Sequence, residues 1–229
     1  KDQNGDTIVP CPIRNITAAS GTPVANLSKV GQQSICHLTS KNNLPYRKKS
    51  TNEVLLHIDD VNNSDVVISD EAVLGFADIK SMYPNTDVEE AIDTVGNEHE
   101  KSKTPHGLTT ESIVKALKIC QKCNCVQFKG RFYLPCRGTA MGPAHGCDLT
   151  DIWIGPIAEK HVQTCPCDTT GFCIYRDDGL EILLNGPRDI PAYIEHLKTL
   201  HPNLDWDTCL LYTSPSPRDL STSRMPSSA

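Results

Sequence analysis

Three short apolar runs tied to aspartates constrain the fold of this 229-residue chain more than any other feature. Phe172-Cys-Ile-Tyr175 and Leu180-Glu-Ile-Leu-Leu184 have the length of strands rather than helices. Between them lies Arg176-Asp-Asp-Gly179, and Asp-Gly is a strong hairpin signal. A third run, Ala72-Val-Leu-Gly-Phe-Ala77, ends on Asp78. Taken singly, each acid is unremarkable: most Asp-Asp-Gly hairpins are simply turns, and an acid closing an apolar strand is usually a solvated terminus. Together they predict a sheet in which neighbouring strands, about 5 Å apart, bring carboxylates side by side.

Helices are predicted around these strands. Thr86-Asp-Val-Glu89 has the pattern of a capping box, so a helix starts near Asp87. Residues 94 to 107 are charged and broken by Gly and Pro, which predicts a loop. A second helix starts after Thr109 or Thr110, with Ile113, Leu117 and Cys120 on one face. Phe128 to Leu134 suits a hairpin around Lys129-Gly130. A third helix covers Cys147 to His161, with a kink or break at Gly155-Pro156. Pro191 opens a fourth, which ends before Pro202. Val66-Val-Ile68 reads as a further buried strand, and residues 1 to 50 as irregular strand and loop. The fold class is α+β.

Composition narrows the setting. With 22 basic and 28 acidic residues the net charge is −6, whereas nucleic-acid binding usually leaves a basic footprint. An acidic catalytic centre accounts for part of that balance. No run of eighteen apolar residues is present, so no membrane partner is expected. No secretory signal is visible, so the expected location is intracellular, in nucleus or cytoplasm. Eleven cysteines, an odd number, argue against a disulfide framework. The spacings Cys120-x-x-Cys123-x-Cys125 and Cys165-x-Cys167 admit either zinc or ordinary reduced thiols. The last 21 residues stand apart: Cys209 to Asp219 resembles the translation of a transposase-type sequencing adapter. Leu220 to Thr222 would be a sample index, and Ser223 to Ala229 resembles the next adapter segment. A natural Ser/Pro-rich tail would have similar composition. Either way, residues 209–229 are expected to be disordered.

Clustered carboxylates repel, and a hard divalent cation resolves that repulsion. Two such cations about 4 Å apart can hold the attacking and leaving oxygens of a phosphoryl transfer. Four motifs then resemble a known family in order and spacing. Leu74-Gly-Phe-Ala-Asp78-Ile-Lys-Ser-Met-Tyr83 resembles the polymerase palm motif that carries the first metal-binding aspartate. Arg137-Gly-Thr-Ala-Met-Gly-Pro143, running into Cys147-Asp-Leu-Thr-Asp151, resembles the loop and helix beneath template and nucleotide. Tyr175-Arg-Asp-Asp178 resembles the catalytic hairpin. Upstream, Arg14-Asn-Ile16, Gly21-Thr-Pro23 and Asn26-Leu-Ser28 resemble the fingers motif of reverse transcriptases. The pairing of Gly-Thr-Ala-Met-Gly-Pro with Tyr-Arg-Asp-Asp looks most like Penelope-like retroelements.

The resemblance implies an RNA-directed DNA polymerase, with an RNA template, a DNA primer and a dNTP as partners. The oligomeric state is not fixed by the sequence. It implies two Mg2+ ions, with Mn2+ a substitute, held by Asp78 and Asp177, with Asp178 in support and the Ile79 carbonyl completing a shell. It implies that Tyr83 blocks the ribose 2′-hydroxyl; a core or turn tyrosine before Pro84 is the plainer reading. Gly138 and Gly142 would let backbone approach the substrate. Arg14 would touch the triphosphate or be merely exposed. Lys129 and Arg131 would touch nucleic-acid backbone or form a solvated hairpin tip. Residues 1–70 would form partial fingers, and 71–208 a palm with inserted fingers elements. Pro135 stands where the family usually has a nucleotide-positioning glutamine, which favours a rival reading as a catalytically dead nucleic-acid-binding remnant. Further rivals are an RNA-dependent RNA polymerase and a zinc-binding interaction module.

Overall fold

A computed structural model describes residues 21–41, 44, 46–102 and 107–212. Its centre is a four-stranded antiparallel sheet built from β1 (Val73–Ile79), β4 (Thr169–Tyr175), β5 (Asp178–Leu183) and β6 (Trp206–Tyr212), in the order β4-β5-β1-β6. β1 alternates buried and open positions, as a strand with one packed face must. Val73, Ala77 and Ile79 point into the core, while Phe76 and Asp78 point out.

Most helices cover the inner face, while the helix Thr51–Asn62 flanks the other face beside β4. α6 (Gly146–Thr164) is buried almost all round along its first three turns, which marks it as the central helix between sheet and outer helices. Leu149, Trp153, Ile154 and Ile157 of α6 join Ile79, Ile174 and Leu183 of the sheet in one core cluster. α1 (Ala25–Lys41), α4 (Val88–Ser102) and α5 (Thr110–Lys122) pack on its far side, and α7 (Ile190–Thr199) closes one end. α3 (Met82–Asn85) is a single turn after β1, and a 3₁₀ turn at Gly186–Asp189 precedes α7. β2 (Val126–Phe128) and β3 (Arg131–Tyr133) form a separate two-stranded hairpin.

Several elements differ from the sequence reading. α1 occupies a region expected to be irregular. Its buried face carries Ser28, Gly31, Ser34, Ile35 and Leu38, so small polar residues fill helical core positions and mask the apolar period. α2 (Thr51–Asn62) has no buried residue, although Val54, Ile58 and Val61 recur on one side of it at helical spacing. Its local signal is the cap: Ser50 Oγ accepts the Glu53 amide. Val66-Val-Ile68 is not a strand but an exposed connection, with Val67 87% exposed. α4 runs on to Ser102 through the expected loop, because Val95 and His99 stay buried on its inner side. α6 is continuous through Pro156. β6 extends through Cys209 to Tyr212, so the first four residues of the expected disordered tail are strand. β1 has a second edge of backbone donors and acceptors that needs a partner, and an extended segment of almost any sequence can supply one. The remainder of that tail lies outside the described residues.

Candidate active site

Asp78 and the Asp177-Asp178 pair come together at one end of the sheet. β1 and β5 pair with Asp78 directly opposite Asp178. The Ile79 amide donates to the Asp177 carbonyl at 2.9 Å, which locks the end of β1 to the turn. Both Asp78 and Asp178 are exposed on the open face of the sheet, and Asp177 is half-buried. The β4–β5 turn is a two-residue one at Arg176-Asp177, since Tyr175 pairs with Asp178. The Asp-Gly dipeptide therefore lies in β5 and not in the turn.

Burial, then the neighbouring charges of Asp177 and Asp78, hold the Asp178 carboxyl above its ordinary range. That is the electrostatic mark of acids crowded at one spot. The donor set is oxygen only, open to solvent and mutually repulsive, which suits a hard cation such as magnesium. The three carboxylates do not close to within 4.8 Å of one another as a ligand set; among the described residues the group that does is His161, Cys165 and His196.

β6 adds an acid that the sequence reading missed. Asp207 is the register partner of Asp78 on its other flank, so Asp178, Asp78 and Asp207 make a row across three strands. Lys80 Nζ lies 3.6 Å from Asp205 and 3.8 Å from Asp207, an exposed cation beside that row. The alternation Asp205-Trp-Asp207 was the available signal. The row opens into a groove of about 950 Å³ lined by Phe76, Leu180, Ile182 and, from α2, Val54, His57 and Val61. His57 Nε2 sits 3.0 Å from the Gly171 carbonyl and fixes α2 over β4.

The hairpin is braced from behind. Arg176 has a φ of 59°, an unusual conformation for a residue with a side chain. Its guanidinium bonds the buried carboxylate of Asp151 in α6, which also accepts from Arg47. Burial raises the Asp151 carboxyl while the two arginines oppose that shift. Arg47 belongs to a segment that runs alongside β4: the Ile174 amide donates to the Tyr46 carbonyl at 2.7 Å, and the Lys48 amide to the Ile174 carbonyl at 2.8 Å. One buried acid thus holds both the turn and the strand beside it.

The remaining sequence candidates fall in several places. Tyr83 is half-buried in α3, and its hydroxyl donates to Cys147 Sγ at 3.0 Å, at the start of α6. Burial, then that contact, pushes its phenol well up. The Thr139 amide donates to the Tyr83 carbonyl, so the Gly-Thr-Ala-Met-Gly loop lies against α3. Gly138 has a φ of 76°, and a Cβ there would meet the Pro84 carbonyl oxygen at 2.4 Å. Gly142 has a φ of 121° and is exposed. The Ile79 side chain is core, leaving only its backbone for a ligand. Lys129 and Gly130 form the β2–β3 turn, both with positive φ, and Arg131 is exposed beside them. Pro135 is half-buried near Gly138, away from the aspartate groove. Arg14 lies outside the described residues. Of the two cysteine spacings, Cys120 is buried with its thiol toward the Val24 carbonyl, while Cys123 and Cys125 are exposed.

No family model matches the chain. No curated protein matches it. Solved structures do. Apo telomerase from Candida tropicalis superposes with a TM-score of 0.61 at 12% identity, over 83% of this chain and 36% of that one. Telomerase from Candida albicans in complex with a TWJ fragment of telomeric RNA gives 0.57 at 13%, over 83% and 36%. A structure described as RNA-dependent RNA polymerase with vp4 and dsRNA gives 0.56 at 10%, over 87% and 20%. The chain therefore spans well under half the length of these neighbours. No helix among the described residues is long and apolar enough to cross a membrane. At such identities the likeness is one of fold: the α+β arrangement of this chain, an antiparallel sheet packed on helices, is shared with these polymerase structures.

Proposed function

We propose that this chain is the fingers-and-palm part of an RNA-directed DNA polymerase, one that extends a DNA primer on an RNA template and resembles Penelope-like elements. Residues 1–70 belong to the fingers and 71–208 to the palm in this reading. The observation that carries it is the in-register placement of Asp78 opposite Asp178, with Asp177 at the adjoining turn.

Asp78 and Asp177 are the residues to hold two magnesium ions, with Asp178 and the Ile79 carbonyl in support. When bound, the ions supply charge neutralisation at the attacking and leaving oxygens. The chain's own part is positioning, which dominates phosphoryl transfer. The Arg176–Asp151 brace keeps the turn at the end of β1, and the Gly138 backbone lets the 137–143 loop sit close on α3. The solved neighbours include both telomerases and an RNA-dependent RNA polymerase. Sugar choice therefore rests on Tyr83, whose bulk favours deoxynucleotides. Lys129, Arg131 and Arg14 are contacts for nucleic acid and triphosphate in the same reading. Pro135 supports the second reading, a remnant that binds nucleic acid without incorporating nucleotides.

Primer extension on an RNA template, with dNTP or rNTP and Mg2+ or Mn2+, tests this. Incorporation of dNTP that vanishes in Asp177→Asn is the expected result. Full activity in that variant would refute the metal assignment. Primer–template binding without incorporation by the unsubstituted chain would favour the remnant.

A further inference from the structure

On the inner side of the sheet, away from the aspartate row, two histidines and two cysteines converge. His161 and Cys165 lie one turn apart at the end of α6, and His196 comes from α7. One ligand atom from each of these three falls within 4.8 Å of the other two. Cys167 follows two residues after Cys165 and shares a hydrogen bond with it. Its thiol also faces the Asp189 carbonyl at 3.5 Å, at the start of α7.

The hydrogen bonding of the histidines is unfinished. His161 is 1% exposed, and its Nε2 is 2.8 Å from Glu181, itself 1% exposed. With Nε2 carrying its proton toward that carboxylate, Nδ1 presents a lone pair, and Nδ1 has no hydrogen-bond partner. His196 is held to the backbone of His161, and its Nε2 is likewise buried without a partner. Buried nitrogens are rarely left in that state. Phe172 and Tyr193 pack on the His161 ring at 4.6 and 5.8 Å and keep the spot dry.

We infer that His161, Cys165, Cys167 and His196 form a structural zinc site inside the palm. Two thiolates and two imidazoles are the soft, four-ligand set that zinc takes in closed structural sites. Glu181 is the carboxylate that ligating histidines usually bond through their second nitrogen, fixing tautomer and ring orientation. Cys167 reaches the fourth position by turning its side chain from the Asp189 carbonyl. The ion joins α6, the 165–168 connection and α7, and through Glu181 it reaches β5, three residues from Asp178. It thereby stiffens the strand that carries Asp178, from the side opposite the groove.

Metal analysis of the full 229-residue chain, purified under reducing conditions and dialysed with and without a chelator, tests the site. One zinc per chain is expected, falling to near zero in Cys165→Ser and Cys167→Ser and unchanged in Cys123→Ser. Cobalt added to the chelator-treated chain should give the visible bands and thiolate charge-transfer absorption of tetrahedral sulfur coordination. Those bands should weaken in either serine variant. Mass mapping of alkylated thiols gives a readout independent of variant folding: zinc should protect Cys165 and Cys167 and leave Cys123 and Cys125 reactive. Less than a tenth of an equivalent of zinc with no cobalt bands, or equal alkylation of all four thiols with and without zinc, overturns the proposal.

Discussion

Asp78 on β1 and Asp178 on β5 are direct register partners, two exposed acids on adjacent strands of one open sheet face. Like charges placed opposite each other across strands destabilise by roughly 0.2–1 kcal/mol. Replacing Asp178 with Asn should therefore leave the metal-free protein as stable as before or slightly more so. The pH sign agrees. The Asp178 carboxyl is held above its unfolded value, so its protonated form favours the fold. That contribution is complete below the unfolded carboxylate range and is lost as pH rises through the raised value. Magnesium should reverse the preference, stabilising the unsubstituted chain in proportion to its binding. Thermal melts with and without magnesium, at acid and neutral pH, measure both effects. An undiminished magnesium shift in Asp178→Asn would exclude this acid from the cation site. In an active polymerase, Asp78→Asn or Asp177→Asn should cost several kcal/mol of barrier, about 10²–10³-fold in rate.

The brace behind the hairpin makes a second, purely structural expectation. Asp151 is buried and accepts from both Arg47 and Arg176. Removing one partner of a buried ion pair leaves the others uncompensated, at about 3–5 kcal/mol. Asp151→Ala should approach that cost in urea denaturation. Arg176→Gly should cost less: it loses one ion pair from a half-exposed arginine but relieves a side chain held at a φ of 59°. If Asp151→Ala were the milder of the two, the shared carboxylate would not be what anchors the turn.

Gly130 and Gly138 offer a controlled comparison, since both have a φ of 76°. A methyl group at Gly130 meets nothing within 4 Å, whereas at Gly138 it meets the Pro84 backbone at 2.4 Å. Gly130→Ala should therefore cost only the left-handed strain, about 1 kcal/mol. Gly138→Ala should cost roughly a further 1–3 kcal/mol for the clash. Denaturant midpoints of the two variants measure the difference. Equal values would mean that the 137–143 loop does not pack tightly on α3.

The strands of the sheet were more legible in the sequence than their register. Short apolar runs located β1, β4 and β5, and the four-residue spacing of Ile113 and Leu117 located α5. β5 starts two residues before the apolar run, so the Arg176-to-Gly179 connection narrows to a turn at Arg176-Asp177. What holds Arg176 in a left-handed conformation is Asp151, 25 residues away. α1 was hidden by Ser28, Gly31 and Ser34 on its buried face, whereas α2 carries Val54, Ile58 and Val61 at helical spacing, a signal the sequence offered. Asp207 could not be placed beside Asp78 without knowing that β6 adds to the sheet. The Cys165-x-Cys167 spacing was visible, and His161 stands one helical turn before Cys165, but His196 reaches them only through the placement of α7.

His145 provides the last expectation, and its sign is opposite to that of Asp178. It stands at the start of α6, fully buried, where α1, α5 and α6 meet. Its Nε2 lies 3.2 Å from the Gln121 amide nitrogen, which can only donate, so Nε2 accepts. Nδ1 then carries the proton, 2.9 Å from Ser28 Oγ. Both nitrogens are satisfied by a neutral ring, and burial lowers the pKa from 6.5 to about 4, against a smaller upward pull from Asp148. A depressed histidine contributes stability that is present above the unfolded value and is lost as pH falls through the folded one. The window is therefore pH 6.5 down to about 4, and the loss across it is about 3 kcal/mol at most. Urea denaturation at intervals across that window measures the slope. In His145→Gln the slope should flatten, because the amide cannot titrate, although the variant starts from a lower stability at neutral pH. A slope that persists unchanged in the variant would assign the acid sensitivity to other groups.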